Sequence, residues 1–207
     1  FFMEYGDKFL GKQTVLAKDT PAFIANRIGV YAMAKIYQLT EELDLKIGLV
    51  DKLTGPAIGR PKTGTFRLGD LVGHDTAVNV MNGIAERAPD DEQAPIYQPP
   101  AYMQFLLENK FLGNKTGQGF YKKEVGEDGK KVFKELNLKT QEYELPEKPD
   151  LDSLKTAKQI DDLDRRIKAL FKADDKGGQL IRQSLLGLFA YCSNRIPEIA
   201  DHVYSID

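Results

Sequence analysis

The chain has 207 residues, 42% of them hydrophobic and 29% charged, and its 29 basic and 31 acidic side chains leave a net charge of −2. These values are typical of a globular protein with one large domain or two small ones. Both signs of charge are interspersed, and no basic stripe or arm indicates a nucleic-acid partner. No run of apolar residues is long enough to span a membrane.

The single cysteine, Cys192, excludes an internal disulfide, and its apolar surroundings are typical of a buried, inert thiol. With no visible signal peptide, we expect a cytoplasmic protein.

The first part of the chain is predicted to be helical. Residues 1 to about 11 have the pattern of a helix end, and neither terminus resembles a natural one, so we expect a piece of a longer protein. Asp19 and Thr20 are good helix caps and Pro21 suits a first helical position, which predicts a helix from Pro21 to about Leu43. Apolar residues cover nearly every side of this helix, so it is expected to be central to its domain.

The middle of the chain combines short helices with turns. Gly55 and Pro56 end a short helix in "GLVDKLTGP", and the loop-rich "IGRPKTGTFRLGDLVGHDT" becomes helical near Thr65. Helices are then predicted for "AVNVMNGIAER" and "AYMQFLLENKFLG", on either side of a proline-bearing loop. "NKTGQGFYKKEV" predicts a glycine-rich turn leading into a strand, "GEDGKK" a hairpin turn, and "VFKELNLKTQEYEL" further extended residues.

The last part of the chain returns to helix. "PEKPD" predicts a linker, "LDSLKTAKQIDDLDRRIKALFKAD" one long amphipathic helix, and "GGQLIRQSLLGLFAYCSNRI" a strongly apolar helix. The whole pattern therefore predicts a mainly α fold with a small β-hairpin segment.

An internal repeat is one interpretation of this pattern. A shift of about 156 residues lays "VYAMAKIYQLTEEL" over "LGLFAYCSNRIPEI", with Glu42 over Glu198 and Asp51 over Asp207. Apolar positions coincide, but identities are few. Two helices with similar apolar patterns also match by chance, so both interpretations stay open on the pattern alone.

Few residues have the spacing of a catalytic or metal site. His74 and His202 lie far apart without a partner cysteine, so no metal site is expected. His74 is either a base oriented by its neighbour Asp75 or, more commonly, a partly exposed residue near a helix start. The turn "KTGQGF" either directs its backbone N–H groups and Lys115 towards an anion or is a plain turn with a solvated lysine.

Asn26 is the most unusual polar residue, because it lies within the predicted apolar helix. A buried carboxamide without partners costs roughly 1–3 kcal/mol. Its amide therefore either makes a structural hydrogen bond to a neighbouring loop or faces a cleft, where it binds a substrate carbonyl or hydroxyl.

Several spaced motifs resemble those of one enzyme family. "KDTPAFIANRI" resembles the D-x-P-G-F-x-x-N-R run that opens the C-terminal domain of 3-hydroxyacyl-CoA dehydrogenases. The similarity continues in order through "EEL", "VDKL", "GRPKTGTFRLGDLVGHDT" and "ENKFLGNKTGQGFY", from about residue 11 to 122. The three departures are Ala22, where glycine is usual, "KTGTF", where an M-G-P-F type segment is more common, and His74, where leucine is common. The remaining residues resemble the linker and the start of the degenerate second copy in multifunctional β-oxidation proteins, in which the dehydrogenase is fused to an enoyl-CoA hydratase.

The resemblance implies a domain organisation. Residues 1–11 are the tail of an NAD-binding domain that the chain lacks, and residues 12–122 are the first helical C-terminal domain. Residues 123–150 are the β-hairpin and linker, and residues 151–207 start a second, truncated helical repeat. The catalytic histidine and its glutamate partner belong to the missing domain, so no catalytic residue is expected in this chain, and the chain alone is expected to be inactive.

The resemblance also implies a function for the intact protein, which is oxidation of (S)-3-hydroxyacyl-CoA to 3-oxoacyl-CoA with NAD. Asn26 matches the asparagine that contacts the acyl-CoA substrate, and Lys115 matches the lysine that reaches NAD. The expected partners are acyl-CoA, the NAD-binding domain and a second copy of the chain. Two alternatives are a non-catalytic helical module for dimerisation or docking and a related NAD-dependent dehydrogenase of another hydroxy acid.

Overall fold

The computed structural model describes residues 1–126, 129–148 and 150–206, and most of these residues are helical. The helices are α1 (Phe2–Glu4, continued by a π-helical turn, Tyr5–Phe9), α2 (Ala25–Glu42), α3 (Ile47–Thr54), α4 (Phe66–Val72), α5 (His74–Arg87), α6 (Ala101–Glu108), α7 (Asp152–Ala157), α8 (Leu163–Lys172) and α9 (Lys176–Arg195). Short 3₁₀ turns lie at Pro56–Ile58, Ala94–Tyr97, Asn114–Thr116 and Val203–Ser205. In this part of the chain, no helix has the length and apolar character that crossing a bilayer requires.

The three strands form a small antiparallel sheet in the order β1-β2-β3, with β1 at Tyr121–Val125, β2 at Lys131–Leu136 and β3 at Tyr143–Glu144. The register pairs Tyr121 with Glu135 and Val125 with Lys131. The mainly α fold with a β-hairpin segment is therefore confirmed, and the third strand extends the hairpin.

Helix α2 is the central element, as its apolar pattern predicts. It contacts α9, α5 and the 3₁₀ turn at 94–97, and Tyr37 and Leu39 on it are almost completely buried. Tyr31 stacks on Tyr191 of α9, with ring centroids 3.9 Å apart and planes 6° from parallel. Leu180 and Ile181 of α9 belong to the same hydrophobic core as α2. Residues from both predicted helical units therefore share one core.

The start of α2 differs from the prediction. The helix begins at Ala25 rather than at Pro21, because Ala22 and Phe23 have φ angles of 67° and 52°. Left-handed residues cannot continue a right-handed helix. Residues 21–24 form a turn instead, in which the Phe23 N–H donates to the Thr20 carbonyl at 3.0 Å.

The predicted long helix after the linker is two helices, α7 and α8. Asp162 ends the break between them, because its side chain accepts the Arg165 N–H at 2.8 Å and caps α8. Residues 127 and 128 of the predicted hairpin turn, Pro149 of the predicted linker and Asp207 of the predicted repeat lie outside the described residues. The domain boundaries and the repeat stay predictions.

Ala22→Gly is expected to raise the free energy of unfolding of the chain by about 0.5–1 kcal/mol. A left-handed conformation costs a non-glycine residue roughly 1–2 kcal/mol, and the extra freedom of glycine in the unfolded chain offsets about half of that gain. Urea unfolding measures the change. The matched control is Ala32→Gly within α2, which should lower the free energy of unfolding by about 1 kcal/mol. If the two substitutions lower the free energy of unfolding equally, the left-handed conformation of Ala22 does not strain the turn.

Candidate functional site

Asn26 lies in the first turn of α2 and is exposed. The late start of the helix moves it to the surface, so its amide is not buried among apolar side chains. Within the described ranges, its side chain makes no hydrogen bond to another residue. Phe23, three positions earlier, is 54% exposed. Both an exposed aromatic residue and an exposed amide without a hydrogen bond to another described residue therefore lie at the start of the central helix.

The next residue, Arg27, is completely buried, and its burial was not predicted from the sequence. Its Nη2 donates to Asp91 Oδ2 at 2.9 Å and its Nε donates to the Tyr191 hydroxyl at 2.7 Å. Tyr191 in turn donates to Asp91 Oδ2 at 2.6 Å. We call Arg27, Asp91 and Tyr191 the Arg27 cluster. It joins the start of α2 to the loop after α5 and to α9.

Further charged groups surround the Arg27 cluster. Glu198 Oε1 lies 3.0 Å from Arg27 Nη2, and its Oε2 accepts from Arg195 Nη1 at 2.8 Å. Arg195 also pairs with Glu92. Cations and anions therefore alternate through this region, which is the arrangement that buried charges require.

The pKa shifts in the cluster favour the charged forms of both partners. Burial alone lowers the pKa of Arg27, but the Tyr191 hydroxyl and the carboxylates of Glu198 and Asp91 raise it above its usual value. Burial alone raises the pKa of Asp91, but the hydrogen bond from Tyr191, the backbone N–H of Gln93 and the two arginines together lower it. Arg27 and Asp91 therefore form a buried ion pair.

Lys115 lies in the glycine-rich turn, and its side chain is 46% exposed. Its Nζ donates to both carboxylate oxygens of Asp75, at 2.5 and 2.7 Å. This hydrogen bond lowers the pKa of Asp75. Lys115 is therefore held at the start of α5 by an ion pair, which neither interpretation of the turn had included.

Two buried aspartates hold the loops around this turn. Asp70 accepts the backbone N–H groups of Phe120 and Tyr121 at 2.7 and 3.0 Å. Asp51 accepts the N–H groups of Thr65 and Phe66 at 2.8 and 2.6 Å and the Tyr121 hydroxyl at 2.7 Å. Burial raises the pKa of Asp51, and these hydrogen bonds offset part of the rise. Both residues lie in the spaced motifs, but their roles depend on contacts that the sequence does not show.

His74 differs from both sequence interpretations. It is completely buried, its Nε2 lies 2.9 Å from Asp70 Oδ1, and its ring packs edge-on against Phe120 at 4.6 Å. Asp75 is paired with Lys115 and does not orient it. A histidine enclosed in this way supports Asp70 and the turn, and its burial keeps it from contact with a substrate.

Asn26 and Lys115 are supported by separate sets of residues. Tyr37 of α2 packs against Phe120 at the end of the glycine-rich turn, with ring centroids 5.6 Å apart. Tyr37 follows Asn26 by 11 positions, which corresponds to about 16 Å along a helix axis. Asn26 therefore lies at the start of α2, and Phe120, which follows the Lys115 turn, packs about 16 Å further along the same helix.

The groove beside the Lys115 turn is rich in basic side chains. Arg67, Lys122 and Lys123 line it together with Asp70 and with Asn114 and Gly117 of the turn itself, and Lys122 pairs with Glu124 at 2.7 Å. Among the described residues, no group of three or more histidine, cysteine, aspartate or glutamate side chains is arranged to hold a metal ion. Cys192 is partly buried, and burial raises the pKa of its thiol.

Comparisons with known proteins connect these features to one family. Residues 23–123 match the family model described as "3-hydroxyacyl-CoA dehydrogenase, C-terminal domain". A "Probable 3-hydroxyacyl-CoA dehydrogenase" of Bacillus subtilis is 40% identical over 207 residues, 100% of this chain and 26% of the relative. A "Putative fatty acid oxidation complex trifunctional enzyme" of Rickettsia felis is 29% identical over 97% of this chain and 26% of the relative. "Hydroxyacyl-coenzyme A dehydrogenase, mitochondrial" of Sus scrofa is 42% identical over 56% of this chain and 35% of the relative. The chain thus spans only about a quarter to a third of the length of these three relatives.

Proposed function

We propose that the chain is the helical part of an NAD-dependent 3-hydroxyacyl-CoA dehydrogenase, because residues 23–123 match the family model for the C-terminal domain of these enzymes. The proposed reaction oxidises (S)-3-hydroxyacyl-CoA to 3-oxoacyl-CoA. The observation that carries the proposal is the family match across the segment that contains both Asn26 and Lys115. The base and most of the NAD site belong, in this proposal, to a domain outside the 207 residues.

Asn26 is the proposed substrate-binding residue. Its exposed amide offers one acceptor and two N–H donors, and none of them is used within the described part of the chain. A substrate oxygen that accepts from this amide is held in one orientation relative to the base. Such positioning lowers the barrier by pre-arranging the reacting atoms rather than by a chemical step.

Lys115 is the proposed contact to NAD, and its surroundings fit an anionic cofactor. The ammonium has three N–H donors, and the two oxygens of Asp75 use two of them. One donor remains for a cofactor oxygen while the ion pair stays intact. The basic side chains of the adjacent groove also favour an anion electrostatically. Bound NAD supplies the hydride acceptor, and this chain contributes the charge and the rigid turn.

The proposal includes a multifunctional protein and a homodimer. The Rickettsia felis relative, named as a trifunctional enzyme, matches 97% of this chain, which supports fusion of the dehydrogenase to an enoyl-CoA hydratase. Large apolar side chains are exposed on α4 and α9, namely Leu71, Val72, Leu186 and Phe189. Burial of such surface against a second copy is the usual way to remove it from water.

The experiment that tests the function uses the longer protein that contains this chain. With NAD and an (S)-3-hydroxyacyl-CoA it should produce NADH absorbance, and the (R)-isomer should give much less. The 207-residue chain alone should give none, because the base and the hydride-acceptor site lie outside it. A longer protein that oxidises another hydroxy acid but no 3-hydroxyacyl-CoA would contradict the proposed substrate.

Lys115→Ala in the longer protein is expected to raise KM for NAD by about two- to fivefold, because exposed charge interactions are worth roughly 0.2–1 kcal/mol. The acyl-CoA KM should change little, and the effect should shrink at high salt because ions screen the exposed charge. Lys52→Ala, an exposed lysine on α3, is the matched control. If both variants leave KM for NAD unchanged, the turn has a structural role only.

A further inference from the structure

The segment that carries Asn26 is held at its start by the C-terminal end of the described chain. The Lys18 N–H donates to the Ile199 carbonyl at 3.2 Å, and Lys18 Nζ donates to the Pro197 carbonyl at 2.6 Å. The same ammonium lies 2.8 Å from Asp201 Oδ1. Residues 197–201 thus fix the backbone and the side chain at the start of the segment.

The other end of the segment is held by the Arg27 cluster. Tyr191 bonds both Arg27 Nε and Asp91 Oδ2. Because its single hydroxyl proton goes to Asp91, it accepts the hydrogen bond of 2.7 Å from Tyr97. Arg27 Nη1 reaches back to the Pro21 carbonyl at 3.4 Å. The guanidinium therefore closes the turn of residues 21–27 and is itself fixed by α9.

The turn itself has few contacts of its own to hold its shape. Ala22 and Phe23 are both left-handed although neither is glycine, and Phe23 is mostly exposed. Such conformations persist only where the surrounding structure enforces them. The enforcing contacts here come from residue 91 and from residues 191–201, far along the chain.

We propose that Tyr191 is a positioning residue for acyl-CoA binding, which acts by fixing Arg27 and thereby the turn that presents Asn26. The inference rests on the proposed function, since it assigns Asn26 to the substrate. Tyr191 never contacts substrate in this arrangement. Through Tyr191, helix α9 in residues 151–207 would influence substrate binding at Asn26, which lies in residues 12–122.

Tyr191→Phe in the longer protein is the test, because it removes one hydroxyl and keeps the ring that stacks on Tyr31. The ion pair from Arg27 Nη2 to Asp91 also remains, so the variant should fold. KM for the acyl-CoA should rise about three- to tenfold, kcat should fall by less than the roughly hundredfold loss expected for the Asn26 variants, and KM for NAD should not change. This split separates positioning from a general loss of enzyme.

Two controls accompany this variant. Tyr102→Phe makes the same chemical change at a buried tyrosine whose hydroxyl has no hydrogen-bond partner in the described residues. This variant should leave kcat and both KM values unchanged. Ile181→Val lowers the stability of α9 at a completely buried position away from the Arg27 cluster. An acyl-CoA KM that rises equally in Ile181→Val and Tyr191→Phe would overturn the proposal.

Hydrogen exchange of the same proteins gives a second readout that needs no activity. Amides in residues 18–27 should exchange about tenfold faster in Tyr191→Phe, while those in α3 exchange as in the wild type. Unchanged exchange in residues 18–27 would overturn the proposal that Tyr191 positions this segment, even if catalysis is normal. If the two proteins differ in exchange in this way but the wild-type longer protein does not oxidise 3-hydroxyacyl-CoA, the proposed function is contradicted and the positioning of residues 18–27 by Tyr191 is supported.

Discussion

Asp91→Ala is expected to lower the free energy of unfolding of the chain by about 3 kcal/mol. Removing one partner of a buried ion pair costs about 3–5 kcal/mol, because the other charge stays buried without compensation. Arg27 is completely buried, so water cannot replace the lost carboxylate. Glu198 still lies 3.0 Å from its Nη2, which is why we expect the lower end of that range.

Urea unfolding of the wild type and the variant measures this effect. Asp90→Ala is the matched control, since Asp90 is the exposed neighbour of Asp91 and surface changes usually stay within about 0.5 kcal/mol. A loss no larger for Asp91→Ala than for Asp90→Ala would mean that the buried ion pair contributes little.

The pH dependence of stability provides a second check on Asp91. Its pKa is lowered in the folded protein, so its contribution is fully present above the unfolded value of about 3.9 and is lost as pH falls through the folded value. Asp51 has a raised pKa and contributes with the opposite sign. Because Asp51 is present in both proteins, the wild type should lose more stability than Asp91→Ala on acidification below about pH 4.

The central helix was predictable from the sequence, whereas its start and its buried charges were not. Apolar residues on all sides of α2 predict its central place, because such a helix must be surrounded by others. The start was missed since Asp19, Thr20 and Pro21 have the usual pattern of a helix cap, and only backbone geometry shows that Ala22 and Phe23 are left-handed. Arg27 finds its partners 64 and 164 positions away, a distance at which periodicity carries no information.

The polar groups near the glycine-rich turn show a similar limit. The neighbouring sequence position suggested that Asp75 orients His74, yet the partner of His74 is Asp70, four residues earlier and across the bend at Gly73, whose φ is 94°. Lys115 was identifiable by its motif, but its ion pair spans 40 positions. Local motifs therefore located the polar residues, and the fold determined which of them pair.

Asn26→Ala and Asn26→Asp are expected to lower turnover of the longer protein by on the order of a hundredfold, because a substrate misplaced by about 1 Å can lose that much rate. The aspartate variant should be at least as impaired, since it replaces the amide donor by a negative charge that repels a substrate oxygen. Both variants should melt close to the wild type, because Asn26 is exposed and its side chain makes no hydrogen bond within the described residues.

Steady-state kinetics beside thermal melts decide the role of Asn26. Asn79→Ala and Asn79→Asp are the matched controls, because Asn79 is an exposed asparagine on α5 and the chemical changes are identical. The control variants should keep full turnover, which separates the site from a general effect of charge on a helix. If the Asn26 variants turn over like the Asn79 variants, Asn26 does not bind substrate. If they melt far below the wild type with turnover per folded enzyme unchanged, its role is structural. Only a loss of turnover at an unchanged melting temperature supports a contact to the substrate, because the Asn26 side chain is exposed and makes no hydrogen bond within the described residues.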